Sequence, residues 1–561
     1  MTSRPLTPSR QDWVERTLAS LSVREKIGQT VQERWGVRDD HSPDALADYF
    51  ARYPIGSLFC GGEIIKGAEG TALAFRESLQ LCQQSSKVPL LVAGDLESGA
   101  GSAISKLTRF PPPLALGACD DEELAYAYGK FTALEGRAAG FHWTFAPVSD
   151  LARNWLNPVL STRSLGTDPK RVANLAAAVA RGLQDNHFAA CAKHFPGDGV
   201  DFRDQHLVTS INSLSEESWW SQDGHVFKTM IDAGVHSIMC GHIALPWHEP
   251  MAPAQKRPRP ATVSHRLLTG LLRERMGFSG VIVSDALEMA GFTGWAPYAE
   301  RIVEAFNAGI DVMLWPSETY FPVMERAISE GAVSLKRLDE SVRRILTLKA
   351  RLGLNELVAM GQDPLALRLE EGSVPAAITE QARSTAHQVA SRSITLVRNR
   401  HNQLPLDPTK IKRILFHKAV ALPSDRQDSL HEMATALRAR GLDLTILENG
   451  NCLDVWNLEK AGQSWDAYLV VFSQQVHQMK NTVRPVGPAG EVMWTLQNTE
   501  TLDPIVISLG TPFLLRDMPF LDTLINAYSP GEATVEALVR ALFGEIPFAG
   551  TSPVDVGGSW F

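Results

Sequence analysis

The chain has 561 residues, longer than one hydrophobic core supports, so at least two domains are expected. Hydrophobic residues at 44% and charged residues at 21% exclude a mainly disordered chain. A net charge of −9 without a dense Lys/Arg tract argues against nucleic acid or an anionic membrane surface as partner, and for a neutral or weakly charged small ligand. The six cysteines form no C-x-x-C pair and no disulfide framework. The first residues lack a secretory h-region and no run of about 18 apolar residues occurs, so a cytoplasmic location without membrane spans is expected.

Through the first 350 residues short apolar runs alternate with longer amphipathic segments, the rhythm of a parallel βα sheet. Eight strands are predicted near Gly28–Glu33, Ile55–Phe59, Pro89–Ala93, His142–Ala146, Ala189–Lys193, Val235–Met239, Val281–Ser284 and Asp311–Leu314. Helices fall between them, including Asp168–Gln184, capped by Asp168 before Pro169, and Leu267–Met276. Eight such units in about 300 residues predict an N-terminal (β/α)₈ barrel of TIM type over residues 1–354. Residues 355–388, Glu- and Ala-rich with Pro364 and Pro375, read as a linker with helical pieces. From 389 to 561 short strands return at Ile394–Val397, Ile414–Phe416, Leu444–Leu447, Ala467–Phe472, Pro504–Leu509 and Thr523–Ala527. With helices at Asp428–Arg440 and Gly531–Leu542 they predict a smaller α/β sandwich.

Polar residues cluster where the barrel strands end. Asp95 follows the third strand, Lys193 and His194 end the fifth, Cys240 and His242 follow the sixth, and Asp285 follows the seventh. In a (β/α)₈ barrel these ends converge on the rim that carries the active site. One such residue reads equally as a cap or loop ion pair; four strand ends together point to function. The loop from Lys193 through Pro196, Gly197, Asp198 and Gly199 reaches Asp204-Gln205-His206, where a carboxylate two residues from an imidazole can orient and charge it. On its own that D-x-H is a common loop pair. No zinc-type His spacing, Walker motif or dinucleotide-binding context accompanies these residues, so neither a catalytic metal nor a cofactor is expected. Trp143, Trp247 and Trp315 lie near strand ends, placed either to stack on the ring face of a ligand or to fill the core.

Several segments in order resemble glycoside hydrolase family 3. They are Arg24–Gln29, Phe145–Asp150, Arg163–Pro169, Ala192–Phe195, Gly280–Asp285, and Ser393–Asn399 with Leu404–Leu406 in the second domain. The resemblance implies cleavage of a small carbohydrate or glycoconjugate through a covalent glycosyl-enzyme on Asp285. It places Asp204 and His206 where the β-N-acetylglucosaminidase (β-hexosaminidase) branch carries its Asp–His acid/base pair. Asp95, Arg163, Lys193, His194 and Asp198 are implied to bind the sugar. The expected activity is retaining, exo-acting removal of terminal β-linked N-acetylglucosamine-type sugars by a monomer or homodimer.

Two departures bear on the substrate. Asp198 stands where that branch usually has His, and Ala100 where the family's Asp-x-Glu-Gly-Gly-Arg segment ends in Arg. An exo-β-glucosidase is therefore an alternative; a glycoside phosphorylase is another, because a His acid without a carboxylate base leaves room for an anionic acceptor, and a non-catalytic carbohydrate-binding protein is a third.

Overall fold

The computed structural model describes residues 5–35, 42–61, 72–251, 257–359, 374–421, 428–474, 476, 478–479, 483–498 and 503–557. The chain divides into two compact units. One comprises Met1–Phe110, Glu122–Leu151 and Pro169–Arg383; the other comprises Pro111–Asp121, Ala152–Asp168 and Ser384–Phe561. The sequence-based division kept 111–121 and 152–168 with the N-terminal segment, whereas the compact units group them with the C-terminal one. Within the 355–388 stretch, residues 360–373 lie outside the described residues, and helices cover Leu354–Ala359 and Ala376–Ser393.

The first unit carries β1 (Val31–Arg34), β2 (Ser57–Phe59), β3 (Leu91–Gly94), β4 (Trp143–Thr144), β5 (Cys191–Phe195), β6 (Ser210–Ile211), β7 (Ser237–Cys240), β8 (Ile243–Ala244), β9 (Val281–Ser284) and β10 (Met313–Leu314). A five-stranded parallel sheet runs β10-β1-β2-β3-β4 and a three-stranded one runs β5-β7-β9. Single parallel bridges, Trp143↔Ala189 and Val283↔Val312, adjoin the ends of both sheets. Phe59, Ala93, Trp143, Cys191, Met239, Val283 and Leu314, from strands of both sheets, belong to one buried cluster. Strands buried on both faces need apolar residues at successive positions, which is why they stand out as unbroken runs in the sequence. Each of the eight predicted strands has an observed counterpart; seven begin one to three residues later than predicted, Val281–Ser284 matches, and four run one or two residues further at the C-terminal end. The largest difference is at Gly28 and Gln29, which close the helix Val23–Gln29. There Ser22 and Glu25 form a capping box that fixes the chain as helix. The segment predicted as Leu267–Met276 winds as a π-helix over Arg266–Arg275.

Beneath β9 and β10 lies a buried carboxylate, Asp311, fully enclosed. It accepts from Arg273 Nη2 at 2.6 Å, Arg344 Nη1 at 3.0 Å, the Ser341 hydroxyl at 2.7 Å and the Ile282 amide at 3.0 Å. Burial pushes its pKa up, but Arg273, Arg344 and Arg337 outweigh that and hold it below the ordinary carboxylate value. This one side chain ties β9 and two helices to the start of β10.

The second unit holds β11 (Thr395–Asn399), β12 (Arg413–Val420), β13 (Asp443–Glu448), β14 (Ala467–Ser473), β15 (Pro504–Ser508) and β16 (Thr523–Asn526). They form one sheet ordered β11-β16-β15-β14-β12-β13, parallel except for β11. Alternate residues feed two separate cores. Ile414, Phe416, Leu469, Val471 and Ile507 enter one, and Leu415, Tyr468, Val470, Phe472 and Val506 the other. All six predicted strands of this region are present. Among the described residues no helix is long and apolar enough to cross a membrane.

Asp311→Asn is expected to destabilise the protein by about 3–5 kcal/mol at neutral pH, because it leaves three guanidinium groups facing a neutral amide. The depressed pKa of Asp311 means its stabilisation is present above the unfolded carboxylate value and lost as pH falls through the folded one. Denaturant melts of the two proteins should therefore converge only below about pH 4.

Candidate active site

The polar strand ends of the first unit surround a short segment of β5. Lys193 Nζ, almost wholly buried, lies 3.0 Å from Asp95 Oδ1 and 2.7 Å from Glu97 Oε1. A buried ammonium needs such anionic partners to remain charged. The next residue, His194, is held by Asp150, whose side chain is fully enclosed. Asp150 accepts from the His194 amide at 2.9 and 3.0 Å, from the Asp198 amide at 2.8 Å, and from His194 Nδ1 at 2.7 Å. A carboxylate can only accept, so Nδ1 carries a hydrogen, and Nε2 is turned to the other side. There Nε2 lies 4.0 Å from Asp285 Oδ2.

Asp285 follows β9. Its backbone amide donates to the Cys240 carbonyl at 2.9 Å, and its own Oδ1 accepts from the Ala286 amide at 2.8 Å. Burial alone would raise its pKa. The imidazoles of His194 and His242, the Ala286 N–H and, more weakly, His206 reverse that and hold the carboxyl below its ordinary value. It is thus an anion at neutral pH, with Oδ2 turned towards His194.

The segment after β5 brings the second half of the site. His206 donates to Asp204 Oδ1 twice, from its amide at 2.8 Å and from Nδ1 at 2.6 Å. Asp204 is fully buried while His206 is 22% exposed, so the carboxylate anchors the ring and Nε2 remains able to give or take a proton. Backbone bonds fasten this loop to the turn after Asp285. Ala290 N donates to His206 O at 2.9 Å and Gly291 N to Gln205 O at 3.2 Å. Pairing of β6 with β8 secures it again beside the end of β7. Two glycines permit the close approach. A Cβ on Gly241 would lie 2.8 Å from Ile243 Cδ1, and one on Gly291 would lie 2.7 Å from Gln205 O and 2.9 Å from His242 Cβ.

Asp95, Lys193, His194, Asp204, His206 and Asp285 therefore belong to the first unit, linked by the contacts above. Asp198 is buried in the turn after β5, its carboxylate accepting from the Gly199 amide at 2.6 Å. Arg163 belongs to the second unit, on the turn Ser161–Arg163, where Nη1 donates to Val159 O at 3.0 Å. Trp143 is a core residue, its indole N–H donating to Ser237 Oγ at 2.8 Å. Trp315 carries the Arg34 guanidinium over its ring at 3.7 Å, and Trp247 packs against Trp219 at 5.6 Å.

Sequence reasoning assigned no role to Asp150 or Glu97, yet they fix the orientation of His194 and Lys193. Each lay in a segment singled out above, and Asp150 also follows a strand, which was the available signal.

An anionic carboxylate beside a carboxylate-bound imidazole on strand ends of parallel sheets is the kind of arrangement that nucleophilic and acid/base chemistry needs. Residues 22–348 match the glycosyl hydrolase family 3 N terminal domain, and the chain belongs to that family of glycosidases. It is 33% identical over 567 residues to a β-N-acetylglucosaminidase/β-glucosidase of Cellulomonas fimi, covering 98% of this chain and 96% of that protein. Among solved structures it is similar to a β-glucoside phosphorylase bound to 2FGlc, with a TM-score of 0.86 and 30% identity, covering 100% of this chain and 98% of the other. It is also similar to a family 3 β-N-acetylglucosaminidase from Paenibacillus sp. str. FPU-7, with a TM-score of 0.82 and 27% identity over 96% and 100% of the two chains.

Gly291→Ala should push the His206 loop away from the turn after Asp285. The expected result is a fold that melts within a few degrees of wild type and a kcat/KM lower by roughly 10²-fold, since a displacement of about 1 Å costs that much. Steady-state kinetics with thermal melts on the same preparations test this.

Proposed function

We propose that the protein is a retaining, exo-acting glycosidase that releases terminal β-linked N-acetylglucosamine-type sugars. The observation that carries this reading is the anionic Asp285 carboxylate, with the Asp204–His206 pair fastened to the turn that follows it. Asp285 attacks the anomeric carbon as His206 Nε2 gives its proton to the departing glycosidic oxygen, and the C1–O bond to the aglycone breaks. In the second step His206 Nε2 takes a proton from water, the water oxygen bonds to C1, and the Asp285–C1 bond breaks. Asp204 keeps the ring oriented and compensates its positive charge after the proton is taken up.

Asp95 accepts from sugar hydroxyls while Lys193 and His194 donate to them, which spreads binding over several positions and lines C1 up for attack. Asp198 completes the proposed contacts to sugar from the first unit. We read the two parallel sheets of the first unit as one eight-stranded barrel over residues 1–354. The bridges Trp143↔Ala189 and Val283↔Val312 and the shared apolar cluster support that reading. A linker over 355–388 and an α/β sandwich over 389–561 complete the proposed organisation.

Support for N-acetylglucosamine over glucose comes from the likeness to relatives named for that activity; the Cellulomonas fimi relative is named for both. A second reading is phosphorolysis. It is favoured by the full-length likeness to a β-glucoside phosphorylase. An imidazole base, unlike a second carboxylate, adds no negative charge to repel an incoming phosphate dianion.

Asp285→Ala is expected to lower kcat by at least about 10⁴-fold without unfolding the protein. His206→Ala should lower kcat/KM by roughly 10²- to 10⁴-fold on alkyl glycosides and far less on nitrophenyl glycosides, whose leaving groups need little protonation. Both are read with a panel of N-acetylglucosaminides and glucosides, in phosphate and in phosphate-free buffer with product identification. Sugar 1-phosphate as the main product would select phosphorolysis; equal activity of the variants and wild type would overturn the mechanism.

A further inference from the structure

His242 is the remaining imidazole against Asp285. It is fully buried and stacks on Phe292, with ring centroids 5.4 Å apart. Its Nε2 lies 3.0 Å from the Ala286 carbonyl oxygen. A carbonyl only accepts, so Nε2 carries a hydrogen. Burial pushes the pKa of this ring below the ordinary histidine value, leaving it neutral near pH 7. Nδ1 is then an acceptor, 2.7 Å from the Thr262 hydroxyl. That hydroxyl has one hydrogen, and its other contact, to Gly241 O, is longer at 3.2 Å.

The two arms of His242 reach different parts of the site. The ring holds the carbonyl of residue 286, whose amide donates to Asp285 Oδ1 at 2.8 Å. The His242 backbone amide donates at 2.9 Å to Oε1 of Gln205, the buried residue between Asp204 and His206. An amide donor requires an acceptor opposite it, so the Gln205 side chain is oriented with its oxygen towards His242.

We infer that His242 is a positioning residue that locks the nucleophile to the acid/base loop, its ring holding the Asp285–Ala286 turn while its amide holds Gln205. The inference rests on the reading of Asp285 as nucleophile and His206 as acid/base. It assigns His242 no contact with the sugar and no proton transfer. A neutral imidazole suits such a role, because a ring that gained a proton on Nδ1 would force the Thr262 hydroxyl to turn away.

The test is a leaving-group series. His242→Leu should lower kcat/KM by about 10- to 100-fold on aryl glycosides. The factor should be the same for good and poor leaving groups, because the loss acts through the nucleophile. Inhibition by the free sugar should change little. His242→Gln, which restores a neutral N–H donor, should recover part of the loss. Gln205→Met, which removes the acceptor at similar length, should slow poor leaving groups selectively. A folded His242→Leu protein with wild-type kcat/KM would overturn the inference, and so would a loss matched by an equal loss of sugar binding. If the leucine variant does not fold, a Gln205→Met protein without leaving-group dependence would overturn it. Asp285→Ala, assayed alongside, separates the two levels. Activity in that variant removes the underlying reading, whereas its inactivity beside a fully active His242→Leu removes only the inference.

Discussion

A carboxylate drawn out of water stays ionised only if fixed dipoles and cations replace the solvent it has lost. Asp285 is in that position, and the surrounding architecture supplies the replacements. The Ala286 N–H bonds Oδ1, Nε2 of His194 faces Oδ2 at 4.0 Å, and His242 holds the turn through the Ala286 carbonyl. None of these groups would hold its place unaided. His194 depends on Asp150, and His242 on Thr262 and Ala286 O. The partners match the rings chemically: an acceptor-only carboxylate for one, a hydroxyl and a carbonyl for the other. The result is a carboxylate held ionised by groups that are themselves held in place.

The same economy governs distance. Strands β5, β7 and β9 are parallel neighbours, so the side chains at their C-terminal ends meet whether or not they are close in sequence. Loops would scatter them, but the loop carrying Asp204 and His206 is fastened by backbone bonds to residues 290 and 291 and by the β6–β8 pair. Gly291 lets the two backbones touch, and Gly241 leaves room for the side chains of Ile243, Gln205 and His194. Far from the chemistry, Asp311 and its arginines fix the start of β10 and help hold the frame on which the rim depends.

Much of this was legible in the residues. Strands buried on both faces declare themselves as apolar runs, and Asp285, Lys193 and His194 were found because each ends such a run. The D-x-H pair became informative only once family likeness placed it beside a nucleophile; the structure supplies the short contact between its two members. Less visible were the groups that orient others. Asp150 and Glu97 contact residues more than forty and ninety positions away, and nothing local announces that pairing. In the first unit most strand starts were set too early, because apolar character begins ahead of the first ladder bond; before β1 the chain up to Gln29 still belongs to the helix that Ser22 and Glu25 cap at its start. Two segments before residue 170 join the C-terminal compact unit, a grouping made by long-range packing that no linear pattern encodes.

The central claim is that Asp285 forms a covalent bond to the anomeric carbon. Incubation with an activated 2-deoxy-2-fluoro glycoside, followed by proteolysis and peptide mass spectrometry, tests it most directly. The account predicts one added sugar per chain, located on Asp285 and released when a suitable acceptor is supplied. A sugar attached to any other side chain, with Asp285 unmodified, would contradict it.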